Sequence, residues 1–80
     1  MVKYRFTVVI ERDEDGLYIA SCPAIQGCYT QGKTYDEAMK NIKDAIKLHI
    51  EARKKLGEPI PIEQAIEEVE IFAKATPSKA

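Results

Sequence analysis

The residue pattern changes period at Thr34, and this change constrains the fold more than any other feature of the chain. Before Thr34, short runs alternate apolar with polar residues. After it, apolar residues recur every three or four positions as far as Leu56. A chain of 80 residues has room for one domain with one small core. The strands must therefore make one layer and the helix the other.

The helix is punctuated at both ends. Thr34-Tyr35-Asp36-Glu37 fits a capping box, with a hydroxyl for the third helical amide and a Glu reaching back. Asp36 and Glu37 also suit the positive end of the helix dipole. Ala38, Ile42, Ala45, His49, Ala52 and Leu56 form an apolar stripe, widened by Met39, Ile46 and Ile50. Asp36–Lys40 and Glu51–Lys55 are i,i+4 pairs. Arg53, Lys54 and Lys55 fill the last turn and Gly57 stops it, which predicts a helix over 34–56.

Residues 3–11, KYRFTVVIE, put Tyr4, Phe6, Val8 and Ile10 on one side and Lys3, Arg5, Thr7, Val9 and Glu11 on the other. Such alternation predicts a half-buried strand. Asp15-Gly16 is a hairpin signal, because Gly adopts positive φ freely. Residues 17–22 are then the return strand, ended by Pro23, which has no N–H to give to a ladder. A third strand is expected over Gly27–Gln31, closed by Gly32. Pro59 and Pro61 bracket a turn. Glu67–Ala73 alternates again and predicts a final strand.

The expected order is β-β-β-α-β: an α+β two-layer sandwich with a three-stranded antiparallel meander. A right-handed crossover would set the last strand parallel to the strand it joins, with strand one the expected neighbour. The domain is assigned to residues 1–73, and the small, polar residues 74–80 to a flexible tail.

Charge and hydropathy exclude several function classes. Twelve basic residues balance thirteen acidic ones, so no global field draws the chain to nucleic acid or an acidic membrane. No apolar run approaches the roughly 20 residues of a membrane span. A cytoplasmic location is expected, where thiols stay reduced. Cys22 and Cys28 are six apart, too far for a zinc knuckle, and read as packing residues. His49 has no nucleophile at a recognisable spacing. Asp13, Glu14 and Asp15 read as a solvated hairpin tip, and no phosphate-binding glycine pattern is present. No catalytic, cofactor-binding or metal-binding residue is assigned.

Charge segregation is the remaining signal. Residues 58–70 hold five Glu and no Lys or Arg, whereas Lys40–Lys55 hold six basic and two acidic residues. An acidic edge beside a basic helix can steer a charged partner. Glu63, Glu67, Glu68 and Glu70 are the candidate partner-binding residues. A domain this small is also expected to self-associate into a homodimer or higher oligomer, through a sheet edge or helix surface.

In order, Asp15-Gly16-Leu17-Tyr18-Ile19-Ala20, Pro23-Ala24-Ile25-Gln26-Gly27-Cys28-Tyr29-Thr30-Gln31-Gly32 and Thr34-Tyr35-Asp36-Glu37-Ala38 resemble the HicB-type antitoxin family. The resemblance spans roughly residues 3–73. It implies a degenerate ribonuclease H-like fold without nuclease activity. It also implies a partner, a small basic HicA-type toxin that cleaves mRNA, whose active site the antitoxin covers. Many members carry a further C-terminal DNA-binding domain. This chain ends at Ala80, and no direct DNA binding is expected from it. The competing expectations are a stand-alone oligomeric scaffold or ligand-binding module, and a residual metal-dependent nuclease using Glu11, Asp13 and Asp15.

Overall fold

A computed structural model describes residues 3–73. Three strands, β1 (Val9–Arg12), β2 (Tyr18–Ser21) and β3 (Tyr29–Gly32), form an antiparallel sheet in the order β1-β2-β3. The helix α1 (Tyr35–Leu56) packs across one face. The expected meander and helix are thus present. Residues 1–2 and the assigned tail, 74–80, lie outside the described residues.

The first strand is shorter than residues 3–11 suggested. Val9 pairs with Ser21, and β2 runs no further: Cys22 N–H still donates to the Cys28 carbonyl on the β3 side, but Pro23 has no N–H to give to β1. Residues 3–8 therefore project past the end of β2 while keeping their alternation: Phe6, Val8 and Ile10 pack against the core. The hairpin loop is organised by Asp13, whose carboxylate accepts from the Asp15 and Leu17 amides at 3.0 and 2.9 Å.

The core consists of Ala20, Cys22, Ile25, Cys28, Ala38 and Ile42. Ile25 enters it from the loop between β2 and β3, held by Ile25 N–H to Cys22 carbonyl and Cys28 N–H to Ile25 carbonyl bonds. Period-based reading missed this residue because a turn has no period. Both cysteines are free and buried, and burial pushes both thiols above the ordinary range. They are core residues.

The helix ends follow the capping reading with one change. Thr34 Oγ1 accepts from Glu37 N–H at 3.1 Å, but the Glu37 carboxylate accepts from Lys33 N–H instead of closing back on Thr34. Gly57 takes the left-handed conformation, φ 70°, and its N–H reaches the Lys54 carbonyl. Among the described residues, the helical ion pair formed is Lys40–Asp44 at 3.3 Å, not the pairs expected from spacing. Asn41 donates to the Gln31 carbonyl at 3.0 Å and ties β3 to the helix.

The expected fourth strand is not in the sheet. Residues 57–73 contain no strand, and Val69, Ile71 and Phe72 are 75, 79 and 94% exposed. The alternation of Glu67–Ala73 supplies a face suited to pleating, but a strand exists only where another backbone accepts its hydrogen bonds.

Candidate protein-interaction surface

Strand alternation divides the sheet into two unlike faces. Ala20, Thr30 and Gly32 face the helix, in register with Ile10, Ala20 and Tyr18 respectively. Val9, Ile19 and Tyr29 face the other way. Val9 and Tyr29 are exposed, Tyr29 at 71%, and Ile19 is half-buried. The outward face thus presents an aromatic and two β-branched side chains to solvent. Aromatic residues of this kind anchor protein interfaces, since they bury a large area at low entropic cost.

The acidic segment borders this face. Residues 61–63 and 65–67 line a cleft with Thr7, Val9, Pro23 and Ala24, of about 470 Å³. Glu63 fixes the segment there. Its carboxylate accepts from the Thr7 hydroxyl at 2.6 Å and also from the Thr7 amide. These two bonds hold the Glu63 carboxyl below its usual range, the hydroxyl contributing most. Glu63 is therefore engaged within the chain. Glu67, Glu68 and Glu70 are exposed, and among the described residues none of them enters a salt bridge.

The Thr7–Glu63 latch has a defined pH response. A lowered folded-state pKa means that the contribution is present above the unfolded-state carboxylate pKa, about 4.3, and is lost as pH falls through the lower folded value. The Thr7 amide resonance should therefore titrate with a midpoint below the ordinary carboxylate value of about 4.3. A midpoint at that ordinary value would show that no latch forms in solution.

The other sequence candidates do not assemble. Asp13 is consumed by the hairpin turn and Glu11 lies on β1 opposite Ile19. No group of three or more His, Cys, Asp or Glu among the described residues is arranged to hold a metal ion. His49 is half-buried on the helix. No helix of the described residues is long and apolar enough to cross a membrane.

A family described as the HicB-like antitoxin of bacterial toxin-antitoxin systems matches residues 6–75. The chain belongs to the HicB-like antitoxin family. The UPF0150 protein Ta0767 of Thermoplasma acidophilum is 51% identical over 69 residues, covering 86% of this chain and 99% of that protein. The UPF0150 protein ssr1765 of Synechocystis is 44% identical over 63 residues, covering 79% of this chain and 80% of that one. Among solved structures, the N-terminal domain of the Burkholderia pseudomallei antitoxin HicB superposes with a TM-score of 0.62 at 30% identity. That match covers 88% of this chain and 72% of the other. The α+β arrangement, a three-stranded antiparallel sheet with one helix, matches that HicB N-terminal domain.

Proposed function

We infer that this HicB-like chain is the antitoxin of a HicA/HicB-type pair, and that it neutralises a small, basic, mRNA-cleaving toxin by covering its active site. The family match over residues 6–75, joined by the likeness to a HicB N-terminal domain, carries the reading. The physical features agree with it. The outward sheet face offers Tyr29 as an apolar anchor, and the exposed Glu67, Glu68 and Glu70 suit a basic partner. In this reading the chain works in the cytoplasm as a binding protein, without cofactor, catalysis or direct DNA contact.

Co-expression with a small basic HicA-type protein, where one is encoded beside this chain, tests the proposal. The wild-type chain should restore growth and co-purify with that protein. Tyr29→Glu should weaken the complex tenfold or more, because it replaces the exposed aromatic of the outward face with a charge, and should leave the circular dichroism spectrum unchanged. A toxic neighbour that is neither bound nor neutralised would overturn the reading.

A further inference from the structure

Cys22 and Cys28 stand opposite one another at the loop end of the β2–β3 pair. The ladder sets Ser21 against Tyr29, and the next step sets Cys22 against Cys28, with Cys22 N–H donating to the Cys28 carbonyl at 3.0 Å. Alternation turns both side chains to the helix side, where both join the core, at 1 and 3% exposure. Directly opposed residues of an antiparallel pair have Cα atoms about 4.5–5.5 Å apart, inside the span of about 4.4–6.8 Å that a disulfide bridges. The two thiols also feel one another: burial raises Cys28 first, and the charge of a nearby Cys22 thiolate raises it further. Both are free in this structure.

The five residues between them form a loop over the pair. Pro23, Gln26 and Gly27 are exposed, while Ile25 is plugged into the core. Two bonds hold the loop shut, Ile25 N–H to the Cys22 carbonyl and Cys28 N–H to the Ile25 carbonyl. The second bond takes Cys28 N–H away from the Cys22 carbonyl. One ladder bond therefore joins the two cysteines instead of two, and their backbones are freer to adjust than those of a fully laddered pair. Gly27 takes φ 78° with open space where a Cβ would sit, which gives the loop a joint.

We propose that Cys22 and Cys28 form a dithiol site that reacts with low-molecular-weight disulfides and closes into an intramolecular disulfide between β2 and β3. With the loop lifted, one cysteine thiolate attacks a sulfur of the small disulfide. A mixed disulfide forms and one small thiolate leaves. The second cysteine thiolate then attacks the protein sulfur of that mixed disulfide, forming the Cys22–Cys28 bond and expelling the other small thiolate. The two cysteine protons end on the two small thiols. The protein gives up two electrons and the small disulfide is reduced. In a reducing compartment the resting form is the dithiol, and the disulfide marks an oxidising episode. Local opening of the loop admits the oxidant, since the closed loop keeps both sulfurs from solvent. The new bond ties β2 to β3 where the ladder carries a single hydrogen bond.

Equilibration of the wild-type chain in mixtures of reduced and oxidised glutathione, followed by acid quenching and mass spectrometry, tests the site. The ratio of disulfide to dithiol gives the effective concentration of one thiol toward the other. It should be about tenfold or more higher in the folded chain than in concentrated urea, because the fold sets the two residues opposite one another before they react. The product should be a single chain lighter by two hydrogens. Its urea midpoint should rise, and should return on reduction with dithiothreitol. Cys28→Ser should stop at a mixed disulfide between Cys22 and glutathione. A folded-chain value equal to or below the value in urea would overturn the proposal, since the fold would then do nothing to bring the sulfurs together. A product joined between chains, at twice the chain mass of 9.0 kDa, would overturn it equally.

Discussion

Ile42→Ala should cost about 2–5 kcal/mol, the range for removing a large aliphatic side chain from a packed core. Ile42 is completely buried, at the centre of the helix face that meets Ala20 and the two cysteines. The cost should fall toward the upper end of the range. Its neighbours are held by a ladder on one side and a capped helix on the other, and cannot collapse into the space left behind. Total stability for a chain of this length is roughly 4–12 kcal/mol at the usual 0.05–0.15 kcal/mol per residue, so this one truncation removes a large share. Urea unfolding followed by circular dichroism would read it as a lower midpoint with an unchanged slope. Leu48→Ala is the matched control. Leu48 is 67% exposed on the same helix, and its loss should fall within about 0.5 kcal/mol of neutral, as for other surface changes. Equal costs at the two sites would mean that the helix packs through a different face.

Gly32→Ala should be the second large effect, from a single added methyl group. A Cβ at Gly32 would sit 2.5 Å from the Ala38 amide nitrogen and 3.0 Å from both Ala38 Cα and Glu37 C. All three are backbone atoms of the first helical turn, so no side chain can rotate aside. Either β3 and α1 separate or the first turn unwinds. Forced overpacking of this kind costs about 1–3 kcal/mol, occasionally more. The loss should appear as a lower unfolding midpoint, together with faster exchange of the Glu37 and Ala38 amides, whose acceptors are the Thr34 hydroxyl and carbonyl. A midpoint that falls without any change in those amides would place the strain elsewhere. Because the contact involves main chain only, Gly32→Ser should behave like Gly32→Ala.

The two sites differ in how far the sequence announced them. Ile42 lies in the 3–4 stripe, and its burial follows from helical periodicity. Gly32 reads from the sequence only as the residue that closes a strand. Its actual constraint, the approach of β3 to the start of α1, depends on a distance between two elements that local pattern does not encode. Ile25 is a stronger case. It is 1% exposed, yet it lies in a loop between Pro23 and Gly27, where no alternation marks an inward side. Only the three backbone bonds among Cys22, Ile25 and Cys28 turn it into the core.

The candidate surface was legible in part. The acidic run stands out in the sequence, and Glu67, Glu68 and Glu70 are exposed. Glu63 belongs to the same run, but its carboxylate is bound to Thr7, 56 residues away. No spacing rule connects those positions. Tyr29 and Val9 were strand residues by pattern. Their place on an uncovered face follows from the sheet having one helix, on one side.

Local pattern was enough for the elements whose hydrogen bonds close within short range. The capped helix, the hairpin at Asp15-Gly16 and the shared side of Phe6, Val8 and Ile10 all follow from capping, turn geometry and period. Where β1 begins, which turn residue enters the core, and the lack of a partner strand for Glu67–Phe72 within the described residues depended on how the elements pack. The difference lies in the range of the hydrogen bond that completes each element. A helix bonds to itself four residues away, whereas a strand depends on a partner whose position the rest of the fold must supply.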